Sequence, residues 1–199
     1  MTQRKTVAQL IALAFAGTLS ATTLAADWQL DNSASRLNFV SIKAIHVAEV
    51  GQFRSFSGKI SEAGELEIQF DLTSVDTKVE LRDDRMREML FKVDEFTTAS
   101  LTAEVDTSII DELAVGESIT NNMTATLDLH GNQQNVAMEV LISKLSEQRI
   151  LVNSAHPVLL DVTDFDLVKG VERLRDVVGL PNISHAVPVT FYMTFNTAE

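Results

Sequence analysis

Three consecutive stretches decide the fold class of this 199-residue chain: Leu66-Glu67-Ile68-Gln69-Phe70-Asp71-Leu72, Ser74-Val75-Asp76-Thr77, and Leu81-Arg82-Asp83-Asp84-Arg85-Met86-Arg87-Glu88-Met89-Leu90-Phe91. In the first, Leu66, Ile68, Phe70 and Leu72 alternate with Glu65, Glu67, Gln69 and Asp71, so an extended segment has one dry and one wet face. Such a strand fits an antiparallel sheet with solvent on one side. After Thr77 the period changes. Met86, Met89 and Leu90 fall at i, i+3 and i+4, a short amphipathic helix with Asp83 and Asp84 in its first turn. Asp83 and Arg87 are spaced to pair across its surface.

Outward from that stretch the pattern is nearly all strand, over 27–31, 35–46, 50–61, 65–77, 100–107, 118–130, 134–146, 149–163 and 185–197. Ser61-Glu62-Ala63-Gly64 and His130-Gly131-Asn132 carry the glycine and asparagine signals of tight hairpins. Short connections imply a meander in which sequential strands pair. Two helices interrupt it: 81–90, and Gly170 to Val178 with Val171, Leu174 and Val178 on one face and Gly179 and Pro181 as a stop. Strands with one apolar face close economically as a barrel or a two-layer sandwich, and periodicity does not separate these.

Alternation nominates an inward set: Leu37, Phe39, Phe53, Leu66, Ile68, Phe70, Leu101, Met123, Leu127, Met138, Phe191 and Met193. Flat and flexible side chains of this kind suit a long apolar ligand, but they equally suit a packed core. Arg82, Arg85 and Arg87 stand together in a chain with only 16 Lys and Arg. They fit either a guanidinium facing a polar lipid head or a balance to Asp83, Asp84 and Glu88.

Other chemistries find little support. His46, His130, His156 and His185 never fall at ligand spacing and there is no Cys, so neither a metal nor another cofactor is expected. No Gly-x-Ser-x-Gly elbow occurs. Ser154 and His156 share a strand face without a third member, while Ser184 and His185 point apart. The many carboxylates lack a specific arrangement. A formal charge of −12 makes the chain a poor candidate for nucleic acid, so no nucleic-acid partner is expected, and it repels anionic lipid unless a local basic patch intervenes.

Residues 1–25 read as a secretory signal: Arg4 and Lys5, an apolar run from Val7 to Leu19, and Thr23 and Ala25 before the cut. The mature chain, 26–199, is then one domain in the periplasm or outside the cell.

Several motifs resemble those of the YceI-like family of exported, lipocalin-like barrels that bind polyisoprenoid lipids. The Ser74-Val75-Asp76-Thr77 segment with Arg82-Asp83 and Met86-Arg87 is similar to the family's central motif. Trp28-Gln29-Leu30-Asp31, Gly51-Gln52-Phe53 and Leu127-Asp128-Leu129-His130-Gly131 resemble its opening strand, its Gly-x-Phe step and its Leu-x-Leu-x-Gly hairpin. Phe96-Thr97 departs from the family's usual Phe-Pro. The resemblance covers most of 27–142 and implies a mainly β, antiparallel up-and-down barrel with two short helices. It also implies a non-enzymatic carrier for a polyisoprenoid lipid or isoprenoid quinone. The chain would lie among the inward set, and the head would lie near a mouth formed by Arg82, Met86, Met89, Leu90 and Phe91. Transient membrane contact fits that role. An exported hydrolase and a solid-core interaction module are the competing readings.

Overall fold

A computed structural model describes residues 27–198. The signal-peptide reading of 1–25 lies outside the described residues. Twelve strands occur: β1 (Trp28–Leu30), β2 (Arg36–Lys43), β3 (Val47–Phe53), β4 (Phe56–Ile60), β5 (Glu65–Asp71), β6 (Val75–Asp76), β7 (Thr98–Glu104), β8 (Ser118–Leu129), β9 (Asn132–Ser146), β10 (Arg149–Ser154), β11 (Val158–Asp161) and β12 (Ala186–Thr197). Four pairs of them are single staves broken by a turn: β1–β2, β3–β4, β5–β6 and β10–β11. Each stave pairs antiparallel with its neighbours in sequence. The last strand returns to the first, Phe195 opposite Leu30 and Phe191 opposite Leu37. The result is a closed eight-stave up-and-down barrel, which removes the exposed edges an open sheet would carry.

The breaks are where the sequence reading differs from the structure. The segments 50–61 and 149–163 are not continuous strands. The first is interrupted at Arg54-Ser55, where Asn32 Oδ1 accepts from Phe56 N at 2.9 Å, and the second at Ala155-His156-Pro157. The strand over 65–77 is interrupted by a turn at Leu72–Ser74, capped by Asp71 Oδ1 accepting from Thr73 N at 2.9 Å. Asp and Ser side chains compete with ladder bonds in this way, and alternation does not report it.

The helices are α1 (Glu80–Arg85), continued without a break by a π-helical turn Met86–Phe91, then α2 (Ser108–Glu112) and α3 (Val168–Val178). The short α2 was not expected from the sequence. It covers the end of the barrel nearer the chain's first strand, where Ile110 is buried. At the opposite end α3 lies on the π turn: a Cβ at Gly170 would stand 2.9 Å from both Leu90 Cα and the Met89 carbonyl oxygen. The hairpin at His130-Gly131 has positive φ at both residues, as a two-residue turn between strongly twisted strands requires. Among the described residues no helix is long and apolar enough to cross a membrane.

Candidate ligand-binding site

The inward-facing rows fill the barrel only at the α2 end. Trp28, Ile60, Leu66, Ile110, Ile150 and Phe195 are all buried in one cluster there. Toward α1 and α3 the rows stand apart and leave a cavity of about 490 Å³, inside the ~300–1,000 Å³ range of small-molecule sites.

Fourteen of the seventeen residues nominated from sequence stand on its wall. They are Leu37, Phe39, Phe53, Ile68, Phe70, Leu101, Leu127, Met138, Phe191 and Met193 from the barrel, with Arg82, Met86, Leu90 and Phe91 from the helical segment. Leu66, Met123 and Met89 do not. Leu66 and Met123 face inward but off the cavity, Leu66 opposite Ala103 and Met123 packed against the buried cluster. Met89 is half-buried off the cavity, its carbonyl facing Gly170. The π turn inserts an extra residue per turn, so an α-helical count of i, i+3, i+4 misplaces a side chain after Met86.

Much of the wall was not nominated. Val162, Phe165, Leu167, Val171 and Leu174 from the turn before α3 and from α3 itself close one side. The signal was present as the apolar face of 170–178, but nothing in the sequence says what that face covers. Gly51 is a further contributor. The ring of Phe39 lies across it, 2.3 Å from where a Cβ would be. Phe39, Phe53 and Phe91 form a run of rings with centroids 5.6 and 5.7 Å apart, tilted as aromatic pairs prefer.

Polar groups gather at the mouth. Glu49 accepts from Lys43 Nζ at 2.7 Å and from the Arg82 guanidinium. The Lys43 hydrogen bond first, and then the charges of Arg82 and Lys43, hold its carboxyl below the ordinary value. Arg82 also donates from Nε to Thr77 Oγ1 at 2.7 Å and from Nη2 to the Thr77 carbonyl at 2.8 Å. Buried Asp83 accepts from Thr77 N at 2.8 Å. Asp76 accepts from Gln52 Nε2 at 2.7 Å, Lys78 N at 2.9 Å and Arg54 Nε at 2.9 Å, and its pKa is lowered to about 2.

The Ser74–Thr77 segment is therefore a clamp that fixes where α1 starts. Asp83 is committed to that clamp and does not pair with Arg87, which pairs with Asp84 and donates to the Thr73 carbonyl at 2.9 Å. Arg85 alone of the three arginines lines the cavity without an ion pair among the described residues.

The histidines stay apart. His130 is buried at its hairpin against Phe96, ring centroids 4.2 Å apart. Burial lowers its pKa, with the nearby charge of Lys92 acting in the same direction. Ser154 Oγ accepts from Phe191 N at 3.2 Å, and His156 lies 3.7 Å from Glu139. Among the described residues no three His, Asp or Glu side chains cluster as metal ligands would.

The model of the YceI-like domain matches residues 28–195, which include every stave of the barrel and both helices at the mouth. This chain belongs to the YceI-like family. Among solved structures, a polyisoprenoid binding domain from Saccharophagus degradans, implicated in plant cell wall breakdown, is 40% identical with a TM-score of 0.85. The match covers 88% of this YceI-like chain and 99% of that one. BcnA of Burkholderia cenocepacia is 17% identical, TM-score 0.63, over 83% of this chain and 98% of that one. A YceI protein of Campylobacter jejuni is 16% identical, TM-score 0.55, over 75% and 85%. The last two show the fold alone. No functionally curated protein matches the chain.

Proposed function

We propose that this YceI-like protein is a non-enzymatic carrier for a long apolar lipid, a polyisoprenoid or an isoprenoid quinone. It works in the periplasm or outside the cell after loss of residues 1–25. The observation that carries the reading is the half-hollow barrel: about 490 Å³ walled almost entirely by apolar side chains, with polar groups confined to the mouth. The 40% identical domain described as polyisoprenoid binding supports the same ligand class. Sheltering about ten isoprenoid methyl and methylene groups at ~0.8 kcal/mol each yields ~8 kcal/mol, enough to offset much of the ~4–15 kcal/mol cost of association. Arg85, which lines the cavity without an ion pair among the described residues, is the cation for the head, an anionic phosphate or a quinone carbonyl. Loading and unloading proceed through transient membrane contact.

The test is native mass spectrometry and solvent extraction of protein purified from the periplasm, with titration of a fluorescent prenyl probe. Stoichiometric lipid and saturable probe binding are expected, without turnover in a screen of ester, phosphate and glycoside substrates. Absence of both lipid and probe binding would sink the carrier. Turnover in the screen would favour an exported hydrolase.

A further inference from the structure

Seven of the twelve large apolar side chains exposed among the described residues stand at the cavity end of the barrel, on three elements that frame the mouth. Ile45 (63% exposed), Val47 and Val50 (61%) come from the β2–β3 hairpin, Val79 and Leu81 (60%) from the start of α1, and Val177 and Val178 from the end of α3. Scattered exposed apolar residues need no explanation, but a ring of them around one opening does.

The backbone holds this rim outward. Ile45 has φ +69°, a conformation β-branched residues rarely adopt, and Lys78 beside Val79 has φ +63°. The hairpin tip is tied to the loop after α3: Ala44 N donates to the Asn182 carbonyl at 3.1 Å, Ile45 N to Asn182 Oδ1 at 3.0 Å, and Ser184 N to the Ile42 carbonyl at 2.7 Å. Two of the three apolar groups are thus fixed together.

Charge distinguishes the same three segments. The framing segments, 43–50, 77–92 and 168–184, hold nine Lys and Arg against seven Asp and Glu, in a chain whose formal charge is −12. The three segments that carry the rim therefore have a slight basic balance of the kind an acidic chain needs to approach anionic lipid, while Asp161, Asp164 and Asp166 precede α3 at the same end.

We infer that the rim is a docking surface for an anionic lipid bilayer, into which Ile45, Val47 and Val177 insert while the neighbouring cations meet headgroups. The purpose rests on the carrier reading, because a greasy chain then passes between bilayer and cavity without crossing water. The surface itself stands on the exposed side chains and the charge.

The test uses the purified protein and sonicated vesicles of phosphatidylethanolamine and phosphatidylglycerol. Ile45, Val47 and Val177 are exposed and do not line the cavity, so Ile45→Asp/Val47→Asp/Val177→Asp spares its wall. Aspartate also tolerates the backbone at 45 better than isoleucine does. Wild type is expected to sediment with the vesicles, the triple variant to lose at least about fivefold of the bound fraction, and binding to weaken as salt rises. Leu145→Asp, which changes an exposed apolar residue outside the rim, is expected to sediment as wild type. A triple variant that sediments like wild type overturns the rim. So does a wild type that ignores vesicles, or one whose rim instead mediates a concentration-dependent dimer lost in the variant. The prenyl probe separates this from the carrier reading: vesicle binding without probe binding removes the carrier and keeps the rim. Probe binding without vesicle binding does the reverse.

Discussion

At the scale of single residues, Asp76 and Asp83 beside the mouth hold the clamp together rather than a ligand. Asp76 is buried and its pKa of about 2 lies below the ordinary 3.8, first through Gln52 and the Lys78 amide, then through Arg54. A folded pKa below the unfolded one means that the contribution is complete above the unfolded value and is lost as pH falls through about 2. Much of Arg54 is in water, so the contribution is at most about 2 kcal/mol. Urea midpoints at about pH 5 and about pH 2.5 should show wild type losing more stability on acidification than Asp76→Asn.

Arg82 and Arg85 should separate in the same way. Arg82→Ala, which abandons Glu49 and both Thr77 oxygens, should cost about 1–3 kcal/mol by chemical denaturation. Arg85→Gln should leave stability within about 0.5 kcal/mol. The effect of Arg85→Gln should appear in ligand titrations, as weaker binding of a prenyl phosphate than of a prenyl alcohol relative to wild type.

At the scale of elements, the contact between α3 and the π turn decides how the cavity is roofed. Gly170→Ala improves helix propensity by up to about 1 kcal/mol, yet its methyl meets backbone at 2.9 Å on Leu90 and Met89. Overpacking against backbone costs about 1–3 kcal/mol, so the clash wins and thermal denaturation should show a Tm lower by a few degrees. The π turn also separates two methionines that an ideal helix would place alike. Met86 is buried on the cavity wall and Met89 is not on it. Met86→Asp should unfold the domain or cost several kcal/mol, whereas Met89→Asp should leave prenyl-probe affinity within about twofold. A tenfold loss of affinity in Met89→Asp would place that side chain at the mouth after all.

For the whole molecule the governing feature is a barrel packed at one end and hollow at the other. Ala99 and Ala103 both lie on β7, but Ala99 faces the cavity and Ala103 packs against the solid cluster. Enlarging them should therefore have opposite consequences. Ala99→Leu should fold with a loss below about 1 kcal/mol and weaken probe binding, while Ala103→Leu should cost about 1–3 kcal/mol by urea denaturation and spare the probe. Equal destabilisation by both would mean that the interior is filled throughout.

The sequence alone determined what depends on neighbours along the chain. Alternation selected the inward face of almost every stave, turn residues marked the Gly64 and Gly131 hairpins, and the motifs around Ser74–Thr77 identified the family. Side-chain direction in a strand has a period of two that local residues set. Depth along the barrel has no such local mark. Leu66 and Ile68 alternate identically, yet one is core and the other cavity wall, because Ile110, Trp28 and Phe195 arrive from distant segments to fill only one end. The roof was equally hidden, since the apolar face of α3 gains its meaning from Gly170 meeting the π turn. Even the rim is three unremarkable exposed pairs and triplets until barrel closure sets them around one opening. Which face a residue takes was written locally. Whether that face meets a core, a cavity or the solvent around its mouth was decided by closure.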